Sequence, residues 1–149
     1  EYREREDLKQ RILYNEPIAV VAREGHPLTK KKVLTFDDIR DQEWILPLAQ
    51  TSLRRQIEFE FRNAGHEPPA DAIESISILT NHKLLLKTNM IATMPYQVAK
   101  SYSDLIRLPI TLESAISPVG ITIRAEAVIS PTLNYFIETL SKVSKQLQK

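Results

Sequence analysis

Three short apolar runs, each closed by glycine or proline and each followed by a segment of helical periodicity, leave this chain few architectures. The first, Ile18-Ala19-Val20-Val21-Ala22, is too continuously apolar for a strand with one wet face. It continues through Arg23-Glu24-Gly25-His26-Pro27-Leu28 into a turn. Glu43-Trp44-Ile45-Leu46-Pro47 and Met90-Ile91-Ala92-Thr93-Met94-Pro95 repeat the arrangement at wide spacing. Strands alternating with helices in this way predict an α/β fold, a mostly parallel sheet with helices on both faces. Such sheets bind ligands, so function is read here from organisation more than from any single residue.

The intervening residues fit that frame. Residues 8–14 and 17–23 read as one long extended segment interrupted at Asn15-Glu16-Pro17. Thr35 opens a short helix through Ile39, with Asp38 at the capping-box position. Thr51 or Ser52 caps a helix whose Leu53, Ile57, Phe61 and Ala64 share one face, and Gly65 marks its end. Strand and helix then recur through 72–75, 76–87, 90–94, 96–102 and 105–109. Residues 119–129 are extended again, and Ser130-Pro131 starts a last helix as cap and first-turn proline. Leu133, Phe136, Ile137, Leu140, Val143 and Leu147 form one stripe on that helix, which demands a sheet to lie on. The sheet between the two long extended stretches already has its own helices. Those stretches therefore read as crossings between two lobes, giving residues 1–17 as the end of a first lobe and first crossing, 18–117 as a second lobe, and 118–149 as the return crossing and helix.

Composition excludes several classes of function. With 149 residues, 42% hydrophobic and 26% charged, the chain can bury a core of its own. No apolar run approaches the roughly 20 residues of a membrane span, and the charged N-terminus does not resemble a signal peptide. A cytoplasmic protein is expected. The absence of cysteine removes thiol catalysis and cysteine-ligated metals. A net charge of +1 gives no global footprint for nucleic acid, so any DNA contact is expected from residues outside this chain. The three glycines form no phosphate loop, no G-x-S-x-G elbow occurs, and His26, His66 and His82 are scattered without matching carboxylates. His26 reads as a turn residue, His66 as solvent-exposed after a helix stop, and His82 as a core-edge or surface side chain. Neither enzyme chemistry nor a metal or cofactor is expected.

A ligand edge is the better candidate. If the strands are parallel, the junctions 47–52, 75–77 and 94–96 lie on one edge, where helix N-termini offer unpaired N–H groups. Leu48-Ala49-Gln50-Thr51-Ser52 combines an apolar wall with amide and hydroxyl groups suited to a carboxylate or a sugar hydroxyl. Capping alone explains Thr51 and Ser52 equally well. Arg54 and Arg55 read as solvated helix charges.

Taken in order and spacing, residues 13–28, Trp44-Ile45-Leu46-Pro47, Leu53-Arg54-Arg55, Ile91-Ala92-Thr93-Met94-Pro95, Val119-Gly120-Ile121 and Ser130-Pro131 resemble the effector-binding domain of LysR-type transcriptional regulators over nearly the whole chain. Within that family they look most like the galactose-binding-protein regulator subgroup. The resemblance implies a type 2 periplasmic-binding-protein-like fold with a small polar effector between two lobes, the winged helix-turn-helix and the start of the first lobe lying outside this chain. A solute-binding transport protein, or a substrate-binding lobe of an enzyme sharing the fold, is the alternative. The effector contacts it implies are Gln50, Thr51, Ser75 and Met94, and the reading of the 48–52 loop adds Leu48 and Ser52 to the candidate site. The family's glycines before the Ile-Ala-x-Met-Pro strand are replaced by Lys87-Thr88-Asn89, where Asn89 is expected to take the left-handed conformation. Family domains pair through the elements matching residues 53–64 and 72–75. Phe59, which at about 100° per residue points away from Ile57 and Phe61, then becomes an interface anchor rimmed by Arg55, Arg62 and Glu58 in a homodimer or homotetramer.

Overall fold

A computed structural model describes residues 6–147. The elements run β1 (Leu8–Arg23), α1 (Phe36–Ile39), β2 (Trp44–Leu46), α2 (Ser52–Asn63), β3 (Ile73–Glu74), α3 (Ile78–Lys87), β4 (Ile91–Pro95), α4 (Tyr96–Lys100), β5 (Leu105–Arg124) and α5 (Pro131–Leu147), with a 3-10 turn at Pro27–Lys30. They form two compact units, Pro17–Ser117 and a smaller one built from Glu1–Glu16 with Pro118–Lys149.

In the larger unit the sheet has strand order β3-β2-β4-β1-β5. β2 is parallel to both β3 and β4, whereas β1 runs antiparallel to β4, with Ile18 opposite Pro95 and Val20 opposite Thr93. The sheet is therefore mixed, and its parallel part is confined to β3, β2 and β4, which α2 and α3 connect. Strand alternation sorts the core into two layers. Val20, Trp44, Leu46 and Ile91 pack on one face with Ile39 of α1 and Ile57 and Phe61 of α2. Val21, Ile45, Ala92 and Met94 pack on the other with Leu85 of α3 and Ala99 of α4. Phe61 meets Trp44 and Phe36 edge-on, with ring centroids 5.6 and 5.1 Å away, and the Trp44 indole N–H donates to the Ile39 carbonyl at 3.0 Å.

Three prolines that looked like breaks lie within strands. β1 is continuous through Pro17, which falls just outside the ladder with β4, so no bond to β4 is lost. β5 absorbs Pro109 and Pro118 and joins the two stretches read separately in the sequence; it is the last strand of the sheet, where a missing N–H can face outward. Gly65 does end α2, at φ +81°, a conformation that a β-carbon would strain. Asn89 does not take the left-handed conformation, because among the described residues no residue other than glycine has positive φ. The turn at Thr88-Asn89 is instead held from outside. Arg23 donates from Nε to the Thr88 carbonyl at 3.1 Å and from Nη2 to Asn89 Oδ1 at 2.8 Å. His26, fully buried, accepts at Nδ1 from the Leu28 N–H and so donates from Nε2 to the Asn89 carbonyl at 2.9 Å.

His82 performs similar work. Its Nε2 donates to both carboxylate oxygens of Asp104, at 2.9 and 3.0 Å, while its ring stacks on Tyr102 at 4.3 Å, tying α3 to the segment that enters β5. The hydrogen bond from His82 holds the Asp104 carboxyl below its ordinary value. A carboxylate with a lowered folded-state value contributes stability that is complete above its unfolded value of about 3.9 and is lost as pH falls through the folded one. Melting temperatures measured from pH 6 down to pH 2.5 are therefore expected to fall less steeply in Asp104→Asn than in the wild type, the two curves converging at the acid end. Parallel curves would show that the pairing contributes nothing.

In the smaller unit, β1 and β5 approach closely. A β-carbon on Gly120 would lie 2.6 Å from the Arg11 carbonyl oxygen, so only glycine fits there. Gln10 Nε2 donates to Thr122 Oγ1 at 3.4 Å, and the Ala125 N–H to the Asp7 carbonyl at 2.8 Å. Ser130 accepts from the Leu133 N–H at 3.2 Å to open α5, as its sequence indicates, and Leu133, Phe136, Val143 and Leu147 lie exposed along that helix.

Candidate functional site

The register of the parallel strands builds an edge. Leu46 lies beside Glu74, Ile45 beside Ala92, and the Ser75 N–H donates to the Leu46 carbonyl at 3.0 Å, so β2, β3 and β4 deliver their carboxyl ends to one side of the sheet. From that side 47–52 leads into α2, 75–77 into α3, and Pro95 directly into α4. All three junctions picked out in the sequence share this edge.

The side chains there divide by what they already hold. Thr51 caps α2, accepting from the Arg54 N–H at 3.2 Å while its hydroxyl donates to the Leu48 carbonyl at 2.8 Å, which leaves one acceptor lone pair for a ligand. Ser77 caps α3 by accepting from the Thr80 N–H at 3.3 Å, and Ser75 accepts from the Ser77 N–H at 3.2 Å. Ser52 accepts from Arg55 Nη2 at 3.1 Å, and Arg55 Nη1 donates to the Gln50 carbonyl at 3.0 Å. The Gln50 side chain is exposed and Leu48 half-buried. Met94 reaches the edge through its backbone; its side chain is buried among Leu85, Ala99 and Leu105. At the start of α4, the Arg107 guanidinium sits 4.3 Å above the Tyr96 ring.

Two expectations about charge are corrected here. Arg54 is not a solvated helix charge but is 6% exposed. It donates from Nε to Glu58 at 2.8 Å and from Nη1 to the Pro47 carbonyl at 3.3 Å, and lies 3.6 Å from Glu74. A single side chain thus fastens the loop after β2 to the end of β3. His66 is half-buried rather than exposed, with Nε2 3.6 Å from Asp37. Glu60, which sequence periodicity did not single out, is buried on α2 and accepts the Ser114 N–H of β5. On the outward side of α2, Phe59 is 54% exposed, with Arg55 and Arg62 exposed around it, and edge-strand Ile73 is 43% exposed.

Among the described residues no cluster of three His, Cys, Asp or Glu side chains could hold a metal ion, and no helix is long and apolar enough to cross a membrane. The described residues form an α/β unit whose hydrogen-bonding groups collect at the carboxyl edge of a short parallel sheet. Residues 1–145 match the family model for the LysR substrate binding domain, and the chain belongs to that family. It is 31% identical over 130 residues to the HTH-type transcriptional regulator GalR of Pseudomonas putida, covering 84% of this chain and 32% of that protein. It is 28% identical over 121 residues to GbpR of Azospirillum brasilense, covering 78% and 35%. The chain thus spans about a third of the length of these two curated relatives. The regulatory domain of Synechocystis PCC6803 CcmR in complex with 2-PG superposes with a TM-score of 0.77 at 20% identity, over 97% of this chain and 71% of that one. The BenM effector binding domain with its effector benzoate gives 0.74 at 20%, over 98% and 67%.

Proposed function

We propose that this chain is the effector-sensing part of a cytoplasmic, non-enzymatic transcription regulator, and that a small polar molecule, a sugar derivative or an organic acid, binds at the carboxyl edge of β2, β3 and β4 in the lobe formed by residues 18–117. One observation carries the reading: three parallel strands and two capped helices bring Leu48, Gln50, Thr51, Ser52, Ser75 and the Met94 backbone to one edge. The named relatives are regulators, which favours sensing over transport or catalysis. Binding there needs no bond chemistry; it biases the assembly by stabilising one arrangement over another. DNA is read by residues outside this chain, in keeping with its net charge of +1. The outward face of α2, with Phe59, Arg55 and Arg62, meets a second copy in a homodimer or homotetramer.

The site is tested on the intact regulator with benzoate, D-galactose and D-gluconate as probes, by thermal shift and then calorimetry. Thr51→Val is a poor probe, because losing the α2 cap alone costs about 1 kcal/mol. Gln50→Ala removes an exposed side chain and keeps the backbone carbonyl that accepts from Arg55. It is expected to weaken the best-bound probe about five- to tenfold while shifting the unliganded melting temperature by less than about 2 °C. Unchanged affinity removes this loop from the site.

A further inference from the structure

Thr93 stands on β4 where an apolar residue would pack better. Its neighbours on the same face are Val20, directly opposite in register, and Leu46, which the β2 ladder carries alongside, both members of the apolar layer under α2. The residue is 9% exposed, and its hydroxyl oxygen is buried without a hydrogen-bond partner. Valine has the same shape, is as comfortable in a strand, and would fill the space without a polar atom. A buried, unpartnered hydroxyl is destabilising, and one kept in a strand core calls for a partner that binds there. Thr93 lies two residues before the end of β4, on the face that α2 covers and onto which 47–52 passes. On the other face of β4, Asn81 in the first turn of α3 also holds a buried, unpartnered Oδ1. Unmet hydrogen-bonding capacity therefore flanks the strand end at the edge where Gln50, Thr51 and Ser75 collect.

We propose that Thr93 is a specificity-determining residue of this edge: its hydroxyl hydrogen-bonds an oxygen of the bound effector, which selects oxygen-bearing molecules, carboxylates or polyols, over apolar ones of the same size. The inference rests on the effector-site reading above and adds a residue to it.

The test compares wild-type regulator with Thr93→Val and Thr93→Ser. Without probe, Thr93→Val is expected to melt higher by roughly 2–4 °C, since it removes an unpaired polar group at constant shape. With the best bound of benzoate, D-galactose and D-gluconate, the same variant is expected to bind at least about tenfold more weakly, and Thr93→Ser within about threefold of wild type. Gain of stability with loss of affinity supports the proposal. An unliganded melting temperature that is unchanged or lower in Thr93→Val overturns it, because the hydroxyl is then already satisfied within the fold. Undiminished affinity in Thr93→Val, with Gln50→Ala still weakened, removes Thr93 but keeps the site. A wild type that none of the three probes shifts overturns both.

Discussion

Trp44→Ala is expected to lower the unfolding free energy by about 3–5 kcal/mol, the largest loss that one truncation in this chain should produce. The indole is 1% exposed and stands in β2 between the helical layer and the sheet. Its removal leaves a cavity against Phe61 and strips the Ile39 carbonyl of its 3.0 Å donor, so a packing loss and an unsatisfied acceptor add. Domains of this size hold about 5–15 kcal/mol in total, so the variant should melt roughly 10 °C or more below the wild type. Trp44→Phe separates the two contributions. It keeps a ring for Phe61 but not the donor, and should fall between. Urea unfolding measures both variants; a loss under about 1 kcal/mol for Trp44→Ala would mean that the site collapses around the missing ring and that Trp44 does not anchor β2.

The residues that announced the fold were those whose signal is local. Thr51 caps α2 through a group three residues away, Gly65 stops α2 because its φ is positive, and Ser130-Pro131 opens α5. Parallel pairing of β2, β3 and β4, and hence the shared edge, followed from strand–helix alternation. The misreadings lie where partners are remote in sequence. Arg54 looks solvated until Glu74, 20 positions on, and the Pro47 carbonyl close over it. Asn89 reads as taking the glycine's conformation because nothing local shows that Arg23 and His26, more than 60 positions earlier, hold the turn in an ordinary one. The pairing of His82 with Asp104 spans 22 positions and left no periodic trace. Thr93 was legible only as a variable letter inside an apolar strand. Its unpaired hydroxyl becomes visible once Val20 and Leu46 are known to flank it.

Phe59→Glu carries the other large expectation, on assembly instead of folding. On α2, Ile57 and Phe61 are fully buried and Phe59, two residues from each, projects to the opposite side with more than half its surface exposed. Arg54 links this helix to Glu74 of β3, the first strand of the sheet, whose Ile73 is also exposed; the helix and the sheet edge are therefore held together as one surface. Glu58 pairs with Arg54 and Arg62 at 2.8 and 3.2 Å, so the charges around Phe59 are already oriented and little side-chain freedom remains to be lost on docking. An aromatic ring ringed by ordered charges has the layout of an interface anchor and its rim. With the α2 face as the proposed contact between copies, burying a carboxylate in the ring's place, without a partner, should weaken self-association of the intact regulator at least about 100-fold. Because the side chain faces solvent in the separate chain, thermal stability at low concentration should move by less than about 0.5 kcal/mol. Sedimentation velocity against concentration decides the matter: a lower assembly state with an unchanged melting curve is the expected result, and an unchanged sedimentation profile would exclude the α2 face as the contact between copies.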